Sequence, residues 1–138
     1  MRTPLVVLSI LAAAAAAVPA IAQEAAPTGA EGRNKVEIMR TPYPAGYETM
    51  IMRVTVPANG SAPRHQHPGI ESGYILSGGG VLSIEGRPDQ TLTPGTAALV
   101  PPNTPHSFRN GPEPTEIVTT YVVEAGKPMT VSAETAAP

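Results

Sequence analysis

Clusters of glycine and proline interrupt this chain at short intervals between Pro42 and Pro114. The runs between the clusters are short and rich in apolar and β-branched residues, and none has the 3.6-residue period of an amphipathic helix. With 13 glycines and 17 prolines the composition approaches that of disordered chains, but the recurring apolar runs favour a folded domain. Such close spacing leaves room only for short strands joined by tight turns. We therefore predict an all-β domain, either a sandwich or a barrel.

The pattern predicts nine short strands. They are Lys35–Met39, Thr49–Val56, Arg64–His67, Ser72–Leu76, Val81–Glu85, Gln90–Thr93, Ala97–Val100, His106–Arg109 and Thr115–Val123. Alternation along the second of them puts Met50, Met52, Val54 and Val56 on one face, which we expect to face the interior. In Ile117–Val123 both faces are apolar or threonine, which is typical of a strand covered on two sides.

The N-terminal 22 residues have the features of a secretory signal peptide. Arg2 provides a positive start, Leu5–Val18 is almost wholly apolar, and Ala20–Ala22 has the small-x-small pattern of a cleavage site. We predict cleavage before Gln23 and an exported protein, periplasmic or secreted. An uncleaved anchor is the alternative, although the apolar run is short for a bilayer span. Residues 23–34 are predicted to be a flexible leader, residues 35–128 the domain and residues 129–138 a C-terminal tail.

Charge and cysteine content exclude several classes of function. The formal net charge is -2 and there is no basic stripe, so we expect neither nucleic acid nor, after signal cleavage, a membrane as a partner. The chain has no cysteine, so disulfides cannot support the fold and a metal site must use histidine and carboxylate ligands. Without cysteine, and with no serine in a nucleophile elbow, covalent acyl chemistry is disfavoured.

The chain has three histidines, and their spacing suggests a shared ligand. His65 and His67 stand two residues apart on a predicted strand, so their side chains point to one face. Glu71 follows the Pro68–Gly69 turn and can return on the next strand, while His106 begins a later one. A divalent first-row metal needs nitrogen or oxygen donors from several strands. An isolated His-x-His pair is more often a surface pair, but here every histidine falls in the set.

Two segments resemble the motifs of the cupin superfamily. The first contains Gly60, His65-Gln66-His67, Glu71 and Gly78, and the second contains Gly86, Pro94-Gly95, Pro101, His106 and Asn110. The resemblance covers roughly residues 36–123 and implies a jelly-roll barrel, also called a double-stranded β-helix, in a small exported single-domain protein. It also implies metal ligands at His65, His67, Glu71 and His106. Two turn positions depart from the pattern: Gly60 is one residue nearer the first histidine than usual, and Thr96 replaces a common aspartate.

The resemblance implies one divalent metal ion and leaves the activity open. Three histidines and a glutamate suit Fe(II) or Mn(II), with Zn, Ni or Cu as alternatives. A tetrahedral zinc shell would be closed by four ligands, whereas a five- or six-coordinate ion would keep positions for water, dioxygen or substrate. The favoured hypothesis is a metal-dependent, oxygenase-like enzyme acting on a small organic molecule. A non-catalytic binding or sensing module is the alternative, and an isomerase or lyase is a third hypothesis.

Three further expectations concern neighbouring residues and partners. Arg64 has the opposite strand parity to the histidines, so we expect a surface or rim charge rather than a substrate clamp. Phe108 shares parity with His106 and is expected to line the cavity or the core. A homodimer is expected because exposed strand edges, at Lys35–Met39 or at Thr115–Val123, invite pairing with a second copy.

Overall fold

The computed structural model describes residues 32–133, which form ten β-strands and no helix. In chain order the strands are β1 (Asn34–Thr41), β2 (Tyr47–Val56), β3 (Ser61–Gln66), β4 (Gly69–Ser77), β5 (Gly80–Ile84), β6 (Gln90–Leu92), β7 (Ala97–Val100), β8 (His106–Asn110), β9 (Thr115–Glu124) and β10 (Val131–Ser132). Each of the nine predicted strands is present. β10 was not expected and lies within the predicted tail. The predicted signal peptide and most of the leader lie outside the described residues.

The strands form two antiparallel sheets of five. The first sheet has the order β1-β2-β9-β4-β7 and the second has the order β10-β3-β8-β5-β6. From β2 onwards the chain passes repeatedly from one sheet to the other, which is the double winding of a jelly roll. The all-β prediction is therefore confirmed. Within residues 32–133 no helix is long and apolar enough to cross a membrane.

The core lies between the two sheets and is largely aliphatic. Met50, Met52, Val54 and Val56 of β2 are all buried, which confirms the face predicted from their alternation. Leu82, Ile84 and Phe108 cover this layer from the second sheet. Phe108 is only 7% exposed, so it packs in the core, as its shared parity with His106 suggested.

The position of β9 corrects two expectations. This strand pairs with β2 on one side and β4 on the other, so Thr115–Val123 lies at the centre of the first sheet and offers no edge. Its odd-numbered residues face the core, but Val118 and Val122 are only half-buried on the outer face. Valine and threonine suit the pleated backbone on either face of a sheet. Their presence on both faces therefore did not indicate cover on both sides.

A polar network lies at the C-terminal end of β8. The side-chain amide of Asn110 donates to the carbonyl oxygens of Val56 (3.1 Å), Pro57 (2.7 Å) and Glu113 (3.0 Å). Its oxygen accepts a hydrogen bond from the hydroxyl of Thr115. These bonds join the loop after β2 to the loop between β8 and β9. They give Asn110, a residue of the second motif, a structural role away from the histidines at the other end of β8.

Candidate metal centre

Three strands bring the four predicted ligand residues to one point, and we call His65, His67, Glu71 and His106 the donor cluster. β3 carries His65 directly opposite His106 on β8. His67 follows β3, and the chain then crosses to the first sheet, where β4 carries Glu71. One ligand atom from each residue lies within 4.8 Å of those of the others. The three imidazoles are buried and the Glu71 side chain is 17% exposed.

Backbone carbonyl groups orient all three imidazole rings. The Nδ1 atom of each histidine lies within hydrogen-bond distance of one carbonyl oxygen: Pro63 for His65 (2.7 Å), Thr104 for His106 (2.9 Å) and Met129 for His67. A carbonyl oxygen only accepts, so each Nδ1 carries the proton. In the neutral ring the Nε2 lone pair is then free, which is the arrangement found around metal-bound histidines.

The free nitrogens meet the carboxylate in a geometry that needs a cation. Glu71 Oε2 lies 2.9 Å from His67 Nε2 and 3.0 Å from His106 Nε2. None of these three buried atoms makes an aligned hydrogen bond, although the distances are short. An unprotonated nitrogen and a carboxylate oxygen at this distance are two acceptors that repel each other. A proton or a metal ion between them removes the repulsion, so the donor cluster fits a cation.

The spacing also fits the size of a first-row metal ion. Donors at right angles around an ion, each about 2.1 Å from it, lie about 3.0 Å apart, whereas tetrahedral donors lie about 3.4 Å apart. The two Glu71 contacts of 2.9 and 3.0 Å are close enough for these atoms to share one such ion. Residues of this chemistry at this spacing could hold one divalent ion.

Burial and charge prepare two members of the cluster to act as ligands at neutral pH. Burial lowers the pKa of His65 to about 4, which leaves its ring unprotonated. Burial opposes ionisation of Glu71, but its close contacts with His106 and His67 outweigh burial and hold its pKa far below the usual range. A neutral imidazole and an ionised carboxylate are the forms that bind metals.

The sequence profile described as "Cupin domain" matches residues 52–124, which is more than half of the chain. The chain belongs to the cupin family. This confirms the resemblance drawn from the two motifs. No curated protein sequence matches that of this cupin.

Solved structures with the same fold include two enzymes. The structure of DMSP lyase DddQ from Ruegeria pomeroyi DSS-3 is 23% identical, with a TM-score of 0.65, covering 77% of the cupin and 54% of the lyase. A recombinant oxalate oxidase in complex with glycolate is 19% identical, with a TM-score of 0.62, covering 76% of the cupin and 57% of the oxidase. The cupin therefore spans little more than half of either enzyme. An uncharacterized Klebsiella pneumoniae protein with a double-stranded β-helix domain is 20% identical, with a TM-score of 0.60, covering 78% and 87% of the two chains.

Three residues beside the donor cluster were missed in the sequence. Tyr121 of β9 pairs directly with Glu71 of β4, and its ring centroid lies 4.8 Å from that of His67. The Lys35 ammonium group lies 5.6 Å from the centre of the Tyr121 ring. Arg33, just before β1, has the same parity as Lys35 and a buried Nε atom. Burial raises the pKa of Tyr121 well above its usual value, and the negative charge of Glu71 adds to the effect, so the hydroxyl keeps its proton.

Arg64 lies on the surface side of β3, as its parity predicted. Its guanidinium group forms a 3.0 Å ion pair with Glu85, whose side chain is 58% exposed. Arg64 therefore adds no direct contact to the donor cluster of the cupin.

Proposed function

We propose that this cupin is a metal-dependent enzyme that acts on a small organic molecule at the donor cluster. The observation that carries the proposal is the convergence of two bare Nε2 atoms and a carboxylate oxygen, all buried without an aligned hydrogen-bond partner. A structural role alone would be served by donors and acceptors that pair with one another. Four ligands around a five- or six-coordinate ion would leave positions for substrate beside it.

Fe(II) or Mn(II) is the favoured ion, with Zn, Ni or Cu as alternatives. Three imidazole nitrogens and one carboxylate oxygen form a nitrogen-oxygen shell that suits the first two, and no thiolate is present to select a softer metal. An ion held there would supply Lewis-acid activation of a bound oxygen atom, and a redox-active ion would add oxygenase-like chemistry.

The surrounding residues would exclude water and handle protons. Ile84 lies directly opposite His106 on the neighbouring strand, and the adjacent Phe108 and Leu82 form a dry aliphatic and aromatic wall. In such a wall, charge interactions at the site are stronger than in water. Tyr121 holds a proton on its hydroxyl beside Glu71 and can donate a hydrogen bond to a bound ligand.

The similar structures support an enzyme without specifying its reaction. One is named a lyase and another an oxidase, so the fold supports both bond cleavage without an external oxidant and oxidation. Oxygenase-like chemistry is our first choice, because the shell suits Fe(II) or Mn(II). A lyase is the second, because Tyr121 offers a protonated hydroxyl beside the donor cluster.

Metal analysis tests the first half of the proposal. The full chain, purified without affinity tag or chelator, is expected to contain one divalent ion per molecule by elemental analysis. No stoichiometric metal under any loading condition would refute the metal-dependent function. Dioxygen uptake across phenolic and diketone compounds then tests for oxygenase-like activity. A metal-loaded chain that binds such compounds without converting them would be the non-catalytic module.

Export to the cell envelope is part of the same proposal and rests on the sequence of residues 1–22. Expression of the full chain in a Gram-negative host should yield, in the periplasmic fraction, a mature protein that begins at Gln23. Intact-mass measurement checks the cleavage site, and an uncleaved, membrane-bound chain would contradict it.

A further inference from the structure

The first strand turns one charged residue, Lys35, towards the interior. Lys35 lies opposite the buried Val54, whereas Val36 and Ile38 are 50% and 57% exposed. A strand that only closed the core would turn these positions the other way, because burying an ammonium group costs free energy that burying valine would recover. The inverted pattern places a second positive charge beside that of Arg33, two residues earlier on the same side.

Neither cation has a carboxylate partner within residues 32–133. Arg40 pairs with Glu37 and Glu48, and Lys127 with Glu124. The other arginines without an ion pair in this range are exposed to solvent: Arg53, Arg87 and Arg109. Arg33 and Lys35, in contrast, are half-buried, and the Nε atom of Arg33 is buried with no hydrogen-bond partner. Burial lowers the pKa of both groups, and their mutual repulsion lowers that of Lys35 further.

Lys35 lies beside the donor cluster, and Arg33 lies near enough for the charge of Glu71 to act on it. The Lys35 ammonium group lies over the ring of Tyr121, which contacts the His67 ring and pairs with Glu71. Among the acidic residues between positions 32 and 133, Glu71 is the one whose charge acts on both Arg33 and Lys35. An ion held by the donor cluster would take up that negative charge. The two cations would then lack a compensating charge from the described part of the chain, and the region would carry a net positive charge.

We propose that Arg33 and Lys35 form an anion subsite that selects a small organic carboxylate as the ligand of this cupin. The subsite rests on the proposed function, because the carboxylate would lie beside a metal-bound part of the same molecule. A guanidinium group pairs with a planar carboxylate through two parallel hydrogen bonds, and the ammonium group adds a third charge-assisted bond. The aliphatic and aromatic wall of the site suits the organic part of the ligand.

Binding of simple anions to the full-length chain tests the subsite without requiring turnover. Propionate is the probe, propionamide its uncharged counterpart and inorganic phosphate the competing anion, each titrated by calorimetry into metal-free and Mn(II)-loaded protein. Propionate is expected to bind and propionamide to bind at least about tenfold more weakly. No propionate binding in either form would overturn the subsite. Tighter binding of phosphate than of propionate would overturn the assignment to carboxylates.

Single substitutions locate the binding. Lys35→Gln and Arg33→Gln should each weaken propionate binding about tenfold or more, while Lys35→Arg should retain it. Arg53→Gln is the matched control, because Arg53 lies on the neighbouring strand opposite Val36 and is exposed. If the two glutamine variants bind propionate as tightly as the Arg53→Gln control, the proposal is overturned. Because the two substitutions are independent, the test still works if one of the variants fails to fold.

A separate Mn(II) titration distinguishes this proposal from the proposed function. Lys35→Gln should bind Mn(II) as tightly as the unaltered chain or more tightly, because a nearby positive charge is removed. Propionate binding that depends on Lys35 in a chain that binds no metal would uphold the subsite and refute the metal-dependent function. If the chain binds Mn(II) but Lys35→Gln and Arg33→Gln leave propionate binding unchanged, the anion subsite is refuted and metal binding is upheld.

Discussion

The orientation of single imidazole rings determines what the donor cluster can bind. Each Nδ1 proton is held by a backbone carbonyl oxygen, so the Nε2 lone pairs converge without rotating in search of a partner. The rings are also buried, and little side-chain entropy remains to be lost when an ion binds. The site is therefore organised for a cation before one arrives.

Removal of one ligand should weaken metal binding far more than removal of the neighbouring surface charge. His106→Ala deletes one of the two nitrogens that contact Glu71, and we expect metal affinity to fall by more than about a hundredfold. Arg64→Ala removes a cation that is paired with Glu85 on the surface, so affinity should be nearly unchanged. Competition titration against a chromogenic chelator measures both. Equal losses in the two variants would mean that Arg64 belongs to the site.

The depressed pKa of His65 makes the stability of the metal-free chain depend on pH. An unfolded histidine takes up a proton near pH 6.5, whereas His65 in the folded chain does so only near pH 4. Between pH 6.5 and pH 4 the unfolded chain binds a proton at this histidine that the folded chain does not bind. Acidification through this range therefore favours unfolding, and the contribution of neutral His65 to the free energy of unfolding, fully present above pH 6.5, is lost as the pH falls to about 4.

Urea unfolding of chelator-treated protein at several pH values measures this effect. The free energy of unfolding should fall from pH 7 to pH 4, and it should fall less steeply for His65→Gln, which has no group to titrate there. The same slope for both proteins would contradict a depressed pKa at His65.

At the scale of strands, part of the architecture was readable from the sequence and part was not. Alternation identified the buried face of β2, because one face of that strand is consistently apolar. The same rule misleads for β1, where Lys35 faces inward and Val36 outward, since contacts near the donor cluster override the apolar pattern. It also could not place β9 at the centre of its sheet, because strand order depends on pairings between distant segments.

The donor cluster was predictable because local spacing carries most of it. His65 and His67 are two residues apart, and the turn before Glu71 is short, so the first motif places three of the four ligands within a few residues. Tyr121, Arg33 and Lys35 reach the cluster only through the pairing of β1, β2, β9 and β4. No local pattern indicates that pairing. The contribution of Met129 was missed for a different reason, because it acts through a backbone carbonyl that any residue would provide.

The short strand β10 should contribute to metal affinity through the segment that leads into it. It pairs with β3 at His65 and Gln66, and the preceding Met129 provides the carbonyl oxygen that orients His67. Deleting residues 129–138 removes this acceptor and should lower metal affinity about 10- to 100-fold, the usual effect of losing a group that orients a ligand.

Two controls separate orientation from packing. A chain that ends at Ala133 keeps β10 and should bind metal normally. Met129→Ala keeps the carbonyl oxygen but removes a side chain that packs against the core, so it should lower the melting temperature without lowering metal affinity. Affinity measured well below the melting temperature checks both. A loss in Met129→Ala as large as in the deletion would point to packing instead.

At the scale of the whole molecule, the free edge of the first sheet favours a homodimer. With β9 central, the edges of this sheet are β1 and β7. β1 is the longer of the two and turns Val36, Ile38 and Met39 outward, at 50%, 57% and 42% exposure. An unpaired strand edge with exposed apolar side chains favours pairing with another strand, and two copies of one edge can do so antiparallel around a twofold axis.

Light scattering coupled to size exclusion should therefore give twice the mass of one chain. Ile38→Arg places a charge on the β1 edge and should shift the equilibrium towards the monomer. Leu99→Arg is the matched control, because Leu99 is similarly exposed at 48% but lies on β7 at the opposite edge. A stable monomer at high concentration in the unaltered chain would rule out the dimer, and dissociation by Leu99→Arg alone would move the interface to β7.

Because Lys35 lies on β1 with its side chain turned inward, a dimer through this edge would also hold the anion subsite in place. Ile38→Arg should then weaken propionate binding together with dimerisation, and unchanged propionate binding in the monomer would show that β1 keeps its position without a second copy.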